Sequence, residues 1–212
     1  MFASREDAGR KLGAALRHEG VHADAVLGLP RGGVVVAAEV AHALDLPLDV
    51  IVVRKIGHPL HREFAVGALA EGDVVVLDDR IPAKNLVLRA ELDQVIEEEK
   101  ARLAAYQERF HQDGLRDLHG KDVVLVDDGL ATGATTEAAA LSAKKRGANQ
   151  VIIAAPVGSE NAVERLSRVT DSVQVLIVDP EFDAVGRYYE VFDQTGDEEV
   201  LQLLRAEANR HA

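Results

Sequence analysis

The 212-residue chain has no cysteine, no tryptophan and a single methionine. Without cysteine there can be no disulfide framework, no thiolate zinc site, no iron–sulfur cluster and no thiol nucleophile, and a reducing cytoplasmic setting is expected. Long hydrophobic runs are missing as well. Val34 to Ala38 and Val151 to Val157 fall far short of the ~20 residues a membrane helix needs. The opening MFASREDAGRKL is interrupted by acids and followed by no apolar segment, so it does not read as a signal peptide. Basic charge is scarce: 24 Lys and Arg stand against 36 Asp and Glu, a net charge of −12. Such a surface repels nucleic-acid phosphates, so neither nucleic acid nor membrane is an expected partner.

Against that background one basic island stands out. Residues 54–62, RKIGHPLHR, hold Arg54, Lys55 and Arg62 with no acid, beside His58 and His61. It suits a small anionic ligand, though a solvated basic loop fits the charge equally well.

Apolar residues make up 47% of the chain, and a protein of this length hides roughly 70% of its unfolded surface, enough for a core without cross-links. Apolar, β-branched runs recur at 25–30, 48–53, 73–78, 122–127, 150–157 and 172–178. Continuous rather than alternating apolar runs predict strands covered on both faces. Helical spacing fills the gaps at Glu6 to Leu16, Val34 to Leu44, Pro82 to Phe110, Thr136 to Lys145, Asn161 to Leu166 and Asp197 to Ala208. The alternation predicts an open, mostly parallel, doubly wound α/β sheet with helices on both faces. Gly147 suits a helix C′ position, and Thr195 with Glu198 reads as a capping box. A single domain over 1–212 is expected, with its core at about 20–178. To this are added an insertion helix at about 82–112 and a C-terminal segment, 179–212, that packs on or caps the core as a small hood. The insertion helix carries the stripe Leu88, Leu92, Val95, Leu103, Tyr106 and Phe110. That stripe suits packing on the chain's own sheet, favoured here, or on a partner subunit.

The sharpest feature is VVLVDDGLATGATT, residues 123–136, between a predicted strand and a predicted helix. The strand brings Asp127 and Asp128 to the carboxyl edge of the sheet, where ligands of open α/β folds bind. Ala131, Gly133 and Ala134 let backbone approach a bound group, Thr132, Thr135 and Thr136 add hydroxyls, and the helix N-terminus offers amides to an anion. Acidic strand ends also occur in receiver-domain and flavodoxin-like folds, a less fitting alternative given ATGAT. Asp78 and Asp79 repeat an acidic pair without such a turn and read as solvated loop residues.

This segment resembles the 5-phosphoribosyl-1-pyrophosphate (PRPP) loop of type I phosphoribosyltransferases. GLPRGG, 28–33, alone merely a strand-to-helix turn, resembles that family's pyrophosphate loop. RKIGHPLHREF, 54–64, resembles its mobile catalytic loop. The resemblance implies that Asp127 and Asp128 hold the ribose hydroxyls and that Ala131, Thr132, Gly133, Ala134 and Thr135 hold the 5-phosphate. It implies that Arg31 and the Gly32 amide face the pyrophosphate, and that Arg54 and Lys55 act on it catalytically together with Asp128. Mg²⁺ is the implied cofactor, held mainly through PRPP oxygens, and a homodimer the implied assembly. Where 6-oxopurine users carry a carboxylate three residues after the second acid, this chain has Ala131, which disfavours hypoxanthine and guanine and leaves the acceptor open. Phe182, Tyr188, Tyr189 and Phe192 cluster near the C-terminus, where rings either stack on a planar base or pack in the core, the latter favoured. The function implied is phosphoribosyl transfer from PRPP to a nitrogenous acceptor with release of pyrophosphate. The alternative is a PRPP sensor without efficient catalysis.

HEGVH, 18–22, formally matches a zinc-protease pattern, but Gly20 falls where the first helix should stop and a strand starts by Ala25, so zinc is not expected. Pro59 likewise breaks any helix that would align His58 with His61.

Overall fold

The apolar runs become strands, though not all of one sheet. In the computed structural model, residues 1–77, 86–111 and 116–210 are described. The order along the chain is α1 (Arg5–His18), β1 (Ala25–Gly28), α2 (Gly32–Leu44), β2 (Leu48–Val50), β3 (Val53–His58), β4 (His61–Ala70) and β5 (Val74–Leu77). It continues with α3 (Leu86–Phe110), β6 (Asp122–Val126), α4 (Ala134–Lys145), β7 (Gln150–Ser159), α5 (Glu160–Ser167), β8 (Ser172–Asp179) and α6 (Asp197–Arg210). Five strands form a parallel sheet ordered β2-β1-β6-β7-β8. From β1 the chain winds outward through α2 to β2; from β6 it winds the other way through α4, β7 and α5 to β8. The winding therefore reverses between β1 and β6, which is where a doubly wound sheet opens a crevice at its carboxyl edge.

Side chains along these strands divide between two apolar layers, as the pleat requires. Val26, Val124, Val126, Ile152 and Ala154 pack with α1, α2 and α6, whereas Leu27, Val123, Leu125, Val151 and Ile153 pack with α4 and α5. Both faces are covered, which is why the strands read as unbroken apolar runs.

Two expectations need correction. The run 48–53 is split: β2 ends at Val50, and Val53 opens a second sheet, antiparallel, ordered β3-β4-β5. The run at 73–78 therefore supplies β5 of that small sheet instead of a strand of the large one. The segment expected as a catalytic loop, 54–64, is mostly hairpin, its ladder interrupted by register shifts on both sides of Gly57. Its charge and its Pro59 made it read as a loop. The hairpin forms because Ile56, Val66 and Leu69 still reach the core, while the outer half of β4, His61 to Ala65, stands exposed.

Helix α3 buries Leu92, Val95, Leu103 and Phe110 in the same apolar layer as Ile56, Val66 and Leu69, so the stripe packs on the chain's own antiparallel sheet. Leu88, Asp78 and Asp79 lie outside the residues whose side chains are described. Helix α4 ends at Lys145, and after the C-cap Arg146 the C′ residue is Gly147, φ +88°, as its sequence predicts. The capping box before α6 is replaced by another contact: Glu198 bonds Arg109 instead. Helix α1 stops at His18, with Gly20 at φ +71°, so His18 and His22 do not share a helical turn.

Candidate functional site

At the switch point the sheet opens into a cleft of about 720 Å³. Its floor is the end of β6. Asp127 and Asp128 follow Val126 directly, and two glycines make room for them. A Cβ on Gly33 would come within 3.0 Å of Asp127 Cα and 2.9 Å of the Val126 carbonyl, and one on Gly32 would collide with Asp128 Oδ2. Gly33 is thus a packing requirement of the α2 N-terminus against the acidic strand end, whereas Gly32 leaves room for the Arg5 and Asp128 side chains. The Pro30–Arg31 peptide bond is cis.

The two acids have different surroundings. Asp127 accepts the Asp128 amide at 2.9 Å and the Thr136 hydroxyl at 3.4 Å. Burial, then the neighbouring Asp128 charge, push its carboxyl up to about 7, with Lys55 opposing. Asp128 is fixed from outside: Arg5 Nε donates to its Oδ2 at 2.8 Å, and the Tyr189 hydroxyl donates to its carbonyl at 2.6 Å. Arg5 is held in turn by the Phe192 ring, 3.8 Å from the guanidinium carbon, and by the Asp193 carbonyl at 2.7 Å. Burial and the Asp128 charge raise the Tyr189 phenol, keeping it a donor.

The turn from Gly129 to Gly133 crosses the cleft next. Ser159 anchors it by donating its amide to Leu130 O at 2.9 Å and its hydroxyl to Ala131 O at 2.7 Å. Gly133, φ +73°, turns the chain into α4 with no side-chain cap. The amides of the first helical turn have no intrahelical acceptor, Ala134 N–H reaching only the Thr132 hydroxyl at 3.4 Å, and they face the cleft where an anion can take them. The remaining wall carries the cations Arg31, Arg54 and Lys55.

All of the residues expected from the sequence meet here: Arg31, Gly32, Arg54, Lys55, Asp127, Asp128, Ala131, Thr132, Gly133, Ala134 and Thr135 line one cleft. Sequence reasoning missed Arg165, which lines the cleft and bonds Glu137 through its Nε. It missed Arg5 too, whose position at the start of a surface helix gives no sign of a partner at 128. The C-terminal rings do not reach the cleft. Tyr189 is buried against Phe2, Phe182 stacks on Tyr188, and only Val185 of that segment touches the lining. Of the adjacent tyrosines only Tyr189 is buried.

The family described as phosphoribosyl transferase domain matches residues 3–184. The chain is 43% identical over 205 residues to the Rv0571c protein of Mycobacterium tuberculosis, covering 96% of this chain and 46% of that one. It thus spans about half the length of the curated relatives it matches. A shorter stretch of 79 residues is 37% identical to ribose-phosphate pyrophosphokinase of Thermococcus kodakarensis, 36% of this chain and 28% of that one. The crystal structure of TT1426 from Thermus thermophilus superposes with a TM-score of 0.80 at 43% identity, covering 96% of this chain and 97% of that one.

Proposed function

Because the chain belongs to the phosphoribosyl transferase family, we propose that its cleft binds PRPP and transfers the phosphoribosyl group to a nitrogenous acceptor, releasing pyrophosphate. One observation carries this reading: a carboxylate pair, a helix N-terminus with no side-chain N-cap and four basic side chains, Arg31, Arg54, Lys55 and Arg165, line the same cleft. Those are the complements of a polyol, a phosphate and a diphosphate.

The 5-phosphate sits on the amides and hydroxyls of Ala131 to Thr135, which fixes the sugar at one end. Asp127 and Asp128 accept the ribose hydroxyls. The bond from the anomeric carbon to pyrophosphate breaks as positive charge grows on the ring and negative charge on the leaving group, as in other glycosyl transfers. Arg31, the Gly32 amide, Arg54 and Lys55 meet the leaving group, so catalysis is chiefly positioning and electrostatic stabilisation. The acidic pair offers the hard oxygen donors that suit Mg²⁺, and the ion would supply charge neutralisation to the pyrophosphate oxygens, held mainly through the substrate. Water is excluded when the hairpin tip covers the site.

Pyrophosphate release is the test. The chain is incubated with PRPP, Mg²⁺ and a panel of bases, and release that depends on one base supports the enzyme. A second reading, a PRPP sensor, draws support from the Arg5 ion pair on Asp128, which occupies one of the two acids. PRPP binding without turnover for every base would favour it; no binding at all would remove both.

A further inference from the structure

The arginines of the leaving-group wall face carboxylates that lie outside the cleft, Arg54 through a hydrogen bond and Arg31 through an ion-pair approach, and both lead to the long helix α3. Arg54 gives its Nε to Glu99 Oε2 at 3.0 Å, and its guanidinium carbon lies 5.4 Å from the Tyr106 ring. Glu99 is only 5% exposed, and its other oxygen takes Arg102 Nη1 at 2.5 Å. Arg31 Nη1 lies 3.6 Å from Asp197 Oδ1 at the start of α6. The far side of that acid is fixed by α3, since Arg109 donates to Asp197 Oδ2 at 2.7 Å and to Glu198 Oε1 at 2.9 Å. Asp197 Oδ1 is buried and has no hydrogen-bond partner among the described residues, so Arg31 is the cation placed to approach it.

Holding an arginine by Nε leaves its two Nη groups as a forward fork matched to phosphate oxygens. Among the described residues the Arg54 Nη groups bond to no protein acceptor. A fork already aimed loses less side-chain freedom when the anion arrives. We propose that α3 is the positioning element of the pyrophosphate subsite: Glu99 aims Arg54, and Arg109 fixes the Asp197 that aims Arg31. Glu99 and Asp197 touch no reacting atom and act through the arginines. The inference rests on the reading of the cleft given above.

Calorimetric titration of the full chain with magnesium pyrophosphate tests it. Glu99→Gln should weaken binding about 3- to 10-fold, the range of one such hydrogen bond, and Asp197→Asn, which removes an ion-pair approach of 3.6 Å, about 2- to 5-fold. Glu97→Gln, which removes an exposed pair with Lys100 on the same helix, should bind as wild type does. The decisive arm is coupling: in an Arg54→Ala background Glu99→Gln should add nothing, and in an Arg31→Ala background Asp197→Asn should add nothing. Where Glu99→Gln fails to fold, Glu99→Asp and the Asp197 arm carry the test. Wild-type binding that ignores both acid variants, or acid effects undiminished in the arginine-less backgrounds, would overturn the positioning role alone. A wild-type chain indifferent to pyrophosphate and PRPP would overturn the cleft reading and this inference with it.

Discussion

Two adjacent aspartates differ because their neighbours differ. Asp127, with its carboxyl pushed up to about 7, keeps a proton in the native state that the unfolded chain gives up near pH 4. The fold is favoured at acid pH by that difference and loses it as pH rises from about 4 to about 7. Asp127→Asn is therefore expected to raise the melting temperature at pH 8 by about 2–6 °C, equivalent to about 1–2 kcal/mol, while weakening PRPP binding. In wild type, PRPP affinity should increase as pH rises through about 7, because the carboxylate is the form that accepts two hydroxyl hydrogens; thermal melts and binding titrations across pH 5–9 check both signs. Asp128→Asn should cost about 1.5–3 kcal/mol of PRPP binding or transition-state stabilisation, read from KM and kcat. Unchanged constants would remove its ribose role. The acids, the Thr-rich turn and Arg31 were legible in the sequence because they sit within short, recognisable segments. Arg5, Glu99 and Asp197 were not, since each meets its partner across 45 residues or more.

At the scale of elements, the α2 N-terminus sits so close to β6 that Gly33 has no space for a side chain. Gly33→Ala must move backbone on one side or the other, and overpacking of this kind costs about 1–3 kcal/mol. Denaturant melts should show that loss, together with weaker PRPP binding from a displaced Asp127; wild-type stability would mean the helix shifts freely. Helices were the most legible elements, because their apolar spacing is local. The division into two sheets was not, because a run such as 73–78 carries no mark of whether its neighbour lies parallel or antiparallel. The hairpin at 54–64 was hidden by its outer half, whose exposed charges erase the apolar signal that its inner half retains.

For the molecule as a whole, the two sheets and the ends of α3 and α4 meet at a buried charge. Glu71 is 1% exposed, accepts the Val52 amide at 2.7 Å, contacts His111 Nε2 at 2.7 Å and takes Arg146 Nη1 at 3.0 Å, while its carbonyl accepts Ser142 Oγ. Glu71→Ala would leave Arg146 Nη1 and the Val52 amide without their acceptor, Arg146 Nη2 keeping only the Arg116 carbonyl, and breaking a buried pair this way costs about 3–5 kcal/mol. Equilibrium unfolding should register it, with the cleft residues themselves unaltered; a loss under about 1 kcal/mol would show that the junction is held by apolar packing instead. Net charge of −12 constrains the outer surface but carries no information about this junction.

The interrupted ladder at Gly57 has a mechanical consequence. Arg54 and Lys55 lie on the inner, continuously paired rungs, whereas Leu60 and Phe64 lie beyond the break. A bulge bends and twists its ribbon, so the tip stands outboard of those two cations and beyond their pairing. Removing the tip is therefore expected to leave the rungs that present Arg54 and Lys55 to the cleft in place.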